Sequence, residues 1–561
     1  MEMWTSFFKD ENGKSRRVCK RINVINSEAK TYTLPNMYRI DLMDREEVFP
    51  NVEVLIIPQN VKDIRIRNEM FPNVKYVESE SNNFCSDNLL VKGSGNKDLS
   101  LLNTFCKQPG EEINLSRITT ICDNAFSGCK STNVTCTKDV TGIIGEHVFH
   151  NSEINNIPFQ DGMRIIGTIL IDIADNVREI HIPPYITAID YSRVKLQNLD
   201  RVIIDNDLVI MSADSKQVQL PKTVVFSKDF GNTQSYITFS YNSIAFCDDR
   251  FWPNDAFINV DRIEVDEDNE RYMSVDGILY SKHMLTLIKC PGTRTGKMII
   301  PNNVTEIGCG AFRETKITEV ILPDSLKLIE NNAFYKCENL EHVEFGNGIT
   351  EISGYSAFDG CKSLKHITLP KQMRRIRCGV FAYSGLESVQ LNNGLEQLSS
   401  HVFYNCESLK TITLPSSLQV LGTANLTYVQ DIHISEKVKP PVLLQVFYSA
   451  VNLDTHAKMP QIVKITQGEK VAYVAKKTCE TEKTNNLCMQ DIISFMQDNK
   501  EDIFDVILEQ RQDVLQDFFS VLTISKEDTE FIEHVINKEN PIATAYLMEK
   551  VKTMEKDDFR I

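Results

Sequence analysis

Between Ile299 and Leu426 the apolar and polar positions repeat with a period of 22–24 residues. Phe312, Phe334, Phe358, Phe381 and Phe403 follow one another at intervals of 22, 24, 23 and 22. Each comes directly after a small or β-branched residue: Ala311, Ala333, Ala357, Val380 and Val402. After each Phe runs an alternating segment, such as ITEVILP (317–323), LKHITLP (364–370) or LKTITLP (409–415), and then a second apolar step such as SLKLIE (325–330). Alternation puts Val343, Ile367, Val389 and Ile412 on one face of a short strand and the intervening residues on the other. One such strand cannot bury its apolar face alone. Coils stacked about 4.8 Å apart pair the strands and run the Leu, Ile and Phe positions into one core. The pair Asn331-Asn332, ahead of Ala333, predicts a short helical turn at the start of that Phe segment.

The same pattern recurs upstream. Phe49-Pro50-Asn51-Val52 returns as Phe71-Pro72-Asn73-Val74, and Phe126 and Phe149 lie 23 residues apart in two further copies. A longer unit interrupts the repeats: residues 265–312 read as a hairpin with an Asp276-Gly277 turn, then re-entry into the array. Residues 77–126 match its outline, and 162–189 match its second half. Residues 190–260 fit the period poorly and read as degenerate repeats.

Strings such as IPNNVTEIGCGAF, LPDSLKLIENNAFYKCENLEHVEF and VDGILYSKHMLTLIKCP resemble the BspA-type leucine-rich repeats, over about residues 35–435 and most closely over 262–426. The resemblance implies a β-rich α/β leucine-rich-repeat solenoid with hairpin insertions. Family members are often surface or secreted adhesins that bind host or cell-surface proteins. Five stretches are expected: an N-terminal segment (1–34), divergent repeats (35–260), regular repeats (261–435), a transitional segment (436–483) and a helical module (484–561).

Beyond residue 480 the apolar spacing turns helical, as in EDIFDVILEQRQDVLQDFFSVL (501–522) and PIATAYLMEKVKTM (541–554). It predicts a small all-α module of four or five helices. Ser525-x-x-Asp528 resembles a capping box, and Asn540-Pro541 reads as an N-cap with Pro at the first helical position. Such a module is suited to capping the open apolar end of an array.

Composition narrows the function more than it names it. The chain has 561 residues and a net charge of −16, which argues against a nucleic-acid partner. Residues 484–561 hold 17 acidic and 8 basic side chains, so more than half of that charge sits there. No stretch reaches the roughly 18 apolar residues of a membrane span, and Met1–Arg21 does not read as an export signal. The expected location is cytoplasmic, with a non-classical route to the surface as the alternative. The 15 cysteines are scattered without a C-x-x-C pair, which fits buried thiols better than disulfides or zinc. Cys129, Cys337, Cys361 and Cys406 each lie three residues after a repeat Phe, where Ser152, Thr315 and Ser384 stand in other copies. That slot calls for a small side chain with a weak hydrogen-bonding group near the turn.

No catalytic, metal or cofactor constellation is read from the residues. His342 and His366 occupy equivalent strand positions and are expected to stack on the exposed face. The leading expectation is a non-enzymatic scaffold for protein partners, and an effector activity within 436–561 is a further alternative. The candidate binding face comprises Glu319, His342, Glu344, Lys365, His366, Glu387, Ser388, Gln390, Lys410 and Thr411, outward positions that vary while the core positions repeat.

Overall fold

A computed structural model describes residues 5–9, 14–20, 22, 28–93, 99–136, 145–205, 219–231, 254–435, 437, 445–446, 461–468, 470–476, 489–525 and 527–557. The chain forms two compact units, Met1–Arg271 and Tyr272–Ile561. Both are built from short parallel strands stacked coil on coil.

In the first unit a hairpin of Thr5–Lys9 and Ser15–Cys19 opens the stack, and its second strand pairs in parallel with Arg39–Asp41. Thr31–Thr33, Val54–Ile57 and Tyr76–Ser79 form a parallel sheet. Two hairpins follow, Leu90–Lys92 with Leu99–Asn103 and Met163–Ile166 with Ile169–Ile173. The poorly patterned stretch is regular where it is described: Glu179–Ile182, Arg201–Ile204, Thr223–Phe226 and Arg262–Val265 pair in parallel, rung for rung.

The second unit opens with the hairpin Tyr272–Val275 and Ile278–Ser281. Asp276 and Gly277 between them both take positive φ, 51° and 76°, the type I′ geometry that this dipeptide favours. The coils then build two ladders. One runs through Glu306–Ile307, Leu328–Ile329, Glu351–Ile352, Arg375–Ile376, Gln397–Leu398 and Val420–Leu421. The other runs through Thr295–Ile299, Lys316–Ile321, His342–Glu344, His366–Thr368, Ser388–Gln390 and Thr411–Leu414. Ladder pairing extends outside residues 35–435 at both ends. It begins with Val18↔Arg39, and Asp431–Ile434 pairs in parallel with Gln461–Gln467. That last strand folds back as an antiparallel hairpin with Lys470–Lys476.

Between the two ladders lies the aromatic spine. Successive rings from Phe312 to Phe403 stack at centroid distances of 4.8, 4.8, 5.5 and 6.0 Å. The coil spacing of about 4.8 Å imposes this near face-to-face geometry, and each buried ring adds about 1.5–3 kcal/mol of hydrophobic stabilisation. The helical turn expected at Asn331-Asn332 does not form. Asn332 instead takes φ 55°, as do its counterparts two residues before each Phe: Gly310 (56°), Ser356 (52°), Gly379 (70°) and His401 (61°). A left-handed non-glycine residue costs roughly 1 kcal/mol. The bend lets the Phe amide reach the next coil, as Phe312 N–H to Ala333 O and Phe334 N–H to Ala357 O, both 2.7 Å. The small-residue slot does what its chemistry suggests. The Cys337, Cys361 and Cys406 thiols donate to the carbonyls of Phe312, Phe334 and Phe381 at 2.9, 3.2 and 3.1 Å. Thr315 and Ser384 donate to the same carbonyls as their neighbouring thiols. The 12 described cysteines form no disulfide.

The C-terminal module has five α-helices: α1 (Met489–Asp498), α2 (Lys500–Gln510), α3 (Leu515–Val521), α4 (Thr529–Asn537) and α5 (Pro541–Asp557). The first three pack on the 461–476 hairpin. Ile462, Ile465, Tyr473 and Val474 join Ile492, Met496, Phe504, Leu515 and Phe518 in one core continuous with the repeats. The module therefore covers the apolar end of the stack. Asn540 caps α5 as its sequence implies, accepting from the Ile542 and Ala543 amides at 3.0 Å. Ser525 and Asp528 do exchange hydrogen bonds, but α4 starts only at Thr529 and its N-cap is Asp528.

Candidate protein-binding face

Parallel pairing in register places the outward side chains of the second ladder in straight rows. One row reads Lys297, Glu319, His342, then His366, Ser388, then Thr411, Asp431, Lys464 along its paired segments. The row beside it reads Ile299, Ile321, Glu344, then Thr368, Gln390, then Thr413, His433, Thr466. The inward row between them is Met298, Val320, Val343, Ile367, Ile412, Ile432 and Ile465, all buried, together with the partly buried Val389.

Seven of the ten candidate residues are outward positions of these strands, and Lys365, Glu387 and Lys410 each sit one residue before a strand. Glu319 is half-buried, and His342, Glu344, Lys365, His366, Glu387, Ser388, Gln390, Lys410 and Thr411 are exposed. Many are tied to the adjacent coil before any partner arrives. Lys297 pairs with Glu319 at 2.9 Å and Lys365 with Glu387 at 3.0 Å. His366 Nδ1 lies 2.8 Å from Ser388 Oγ, and Thr368 Oγ1 donates to Gln390 Oε1 at 3.4 Å. Lys410 Nζ donates to the Glu407 carbonyl at 2.6 Å and lies 5.9 Å from the Tyr428 ring centroid. These exposed ion pairs are each worth under about 1 kcal/mol. Their effect is to restrict the side chains to one arrangement. His342 and His366 each open their strand, and the His366 imidazole engages Ser388 on the following coil. Among the described residues no group of three His, Cys, Asp or Glu could hold a metal ion, and no helix is long and apolar enough to cross a membrane.

The face extends past the residues the period selects. Asp431 and His433 pair with Lys464 and Thr466 across an interval of 33 residues. The alternation in QIVKITQ (461–467) is the signal that marks this strand. At this end the helical module adds polar contacts. Lys464 Nζ and the Tyr473 hydroxyl both bind Asp517 Oδ2, at 3.0 and 2.8 Å, and Arg511 Nη1 donates to Gln430 Oε1 at 3.2 Å. Desolvation works against the Asp517 carboxylate, yet Tyr473 and Lys464 hold its pKa below the ordinary value. Burial, reinforced by that carboxylate, pushes the Tyr473 hydroxyl up.

A second surface feature escaped the repeat pattern because its residues flank the Phe positions without repeating. At the turn edge, Tyr383 and His401 each meet Tyr404 edge-on, at 5.5 and 5.3 Å. Arg313 covers Tyr335 at 4.6 Å, and Tyr355 is exposed.

The family model of the BspA type leucine rich repeat region matches in six copies, over residues 102–215, 292–376 and 354–468. Together these spans exceed half of the chain. The chain belongs to this family. Solved structures similar to this BspA-type protein include a leucine rich cell surface protein from Faecalibacterium prausnitzii A2-165. The two are 18% identical over 81% of this chain and 98% of that one, with a TM-score of 0.31. A leucine-rich repeat protein from Bacteroides ovatus ATCC 8483 is 16% identical over 83% of this chain and 98% of its own, with a TM-score of 0.27. One from Eubacterium ventriosum ATCC 27560 is 16% identical over 71% and 82%, with a TM-score of 0.28. No curated protein matches the chain.

Proposed function

We propose that this BspA-type repeat protein is a non-enzymatic scaffold that binds a protein partner on the outer face of the 295–467 ladder. The observation that carries this reading is the contrast between adjacent rows. The inward row is apolar throughout, Met298 followed by Val and Ile, whereas the outward rows change chemistry at most coils, from Lys297 and Glu319 to His366, Ser388 and Thr411. A core demands uniform residues. A merely solvated face tolerates any polar residue, whereas a recognition face needs a particular set held in place. Side chains bonded across coils lose little freedom on binding, which lowers the ordering cost of each contact by about 0.5–1.5 kcal/mol.

The test is affinity capture with the full chain and with a His366→Glu/Ser388→Lys/Thr411→Glu variant, which alters exposed positions only. The variant is expected to lose the partner that the unaltered chain retains, at an unchanged unfolding transition. Equal capture by both proteins would place recognition elsewhere and overturn the reading.

A further inference from the structure

The helical module buries one side of its last helix and leaves an apolar stripe on the other. On α5, Ala543 and Leu547 are packed into the core. Pro541, Ala545 and Met548, at positions i, i+4 and i+7, share an exposed face. Ile542 flanks this stripe, and Ile536 is the penultimate residue of α4, across the three-residue link 538–540. Ile536, Ile542 and Met548 remain 45, 52 and 53% exposed, although the same two helices bury Phe531, Val535 and Leu547 almost completely. Large apolar side chains left exposed on two helices packed together, among polar groups, mark an interaction surface.

The rim decides the kind of partner. Glu533 and Glu539 are exposed around the stripe. Two nearby cations are engaged elsewhere: Lys538 pairs with Asp505 at 2.8 Å, and Lys550 donates to the Ser520 carbonyl at 2.9 Å. Lys552, one turn beyond Met548, ends the apolar run. An acidic rim repels anionic lipid and acidic protein alike, and attracts Lys and Arg. An apolar stripe along a helix pair fits the apolar face of another helix, read through anchors at i, i+3, i+4 and i+7.

We propose that the outer face of α4 and α5 docks a basic amphipathic helix of a partner protein. This surface is separate from the ladder face, and neither reading depends on the other.

The full-length protein is titrated against a fluorescent Leu/Lys peptide of about 18 residues whose leucines follow helical spacing, in salt of about 0.15 M. A scrambled peptide of the same composition is the control. The amphipathic peptide is expected to bind at least about tenfold more tightly than the scrambled one. Ile542→Glu/Met548→Glu should weaken it by about tenfold or more, although the added negative charge favours a basic ligand; only loss of the apolar contact gives that sign. Glu533→Gln/Glu539→Gln should weaken binding severalfold and flatten its salt dependence. Both variants change exposed side chains, and matching far-UV circular dichroism and unfolding curves confirm that they fold. Equal affinity for the scrambled peptide, indifference to the Ile542/Met548 change, or adsorption to neutral phosphatidylcholine vesicles without peptide binding would each overturn the proposal.

Discussion

The Cys337 thiol donates to the Phe312 carbonyl at 2.9 Å, joining two coils through the carbonyl that the Thr315 hydroxyl also reaches at 2.8 Å. Phe312, Thr315 and Cys337 are all buried, so these two side-chain donors, with the Thr315 amide at 3.0 Å, satisfy the carbonyl in place of water. The same arrangement recurs at Phe381 with Ser384 and Cys406.

Cys337→Ser is therefore expected to keep most of the stability, whereas Cys337→Val should cost about 1–3 kcal/mol in urea unfolding, through a lost donor and an added methyl group. Burial pushes the Cys337 thiol up to about 12 and Cys406 up to about 11. Iodoacetamide at a pH of about 8 should accordingly leave both unmodified in the folded protein and label both after denaturation, as read by mass spectrometry. Alkylation of either at the rate of an exposed thiol would refute the slot's structural role.

Two glycines should respond in opposite ways to a methyl group. At Gly354 an added Cβ would lie 2.1 Å from the Glu330 carbonyl oxygen, which is backbone and cannot swing aside. Gly296, with φ +74°, meets nothing within 4 Å. Gly354→Ala should cost more than about 2 kcal/mol by forcing the coils apart, and Gly296→Ala only about 1 kcal/mol of backbone strain. Thermal melts of the two variants rank them directly, and equal losses would contradict the packing.

Lys289 titrates within the core. Its ammonium donates to the Gly310 carbonyl at 2.7 Å, and desolvation, with repulsion from Arg313, lowers its pKa to about 8. The unfolded chain holds this proton to a pH of about 10.4, so between about 8 and 10.4 the unfolded state binds more protons and the lysine's contribution to stability rises with pH. Lys289→Met should remove this rise and stabilise the protein at neutral pH by about 1–2 kcal/mol, less desolvation being offset by the lost hydrogen bond. Urea unfolding of both proteins across this range is the check. Comparison with the unaltered chain cancels the thiols that titrate nearby, and an identical pH slope in the two would exclude the assignment.

Much of the molecule is legible in residue order because its interactions are periodic. The Phe interval marks the coil, alternation marks the strand faces, and Asp276-Gly277 marks a hairpin from two residues. The alternating strand positions were legible for the same reason: a parallel ladder in register turns a sequence period into a row in space. The turn edge was less so. His401 and Tyr383 hold φ values of 61° and 54° that neither residue prefers, because the bonds to the next coil outweigh the local cost.

By itself, then, the sequence determined the repeat, the alternation of inward and outward side chains, the small-residue slot and the existence of a helical end, since each depends on neighbours at a constant separation. Tertiary structure alone decided where the ladder stops and what covers it. Ile432 pairs with Ile465 across an irregular gap, and Phe504 sits among Phe518, Phe519 and Phe531 at about 6 Å to close the core beyond the last strand. Those contacts obey no period. An open stack must bury its last apolar layer on whatever chain follows, and the shape of that layer selects which residues meet it.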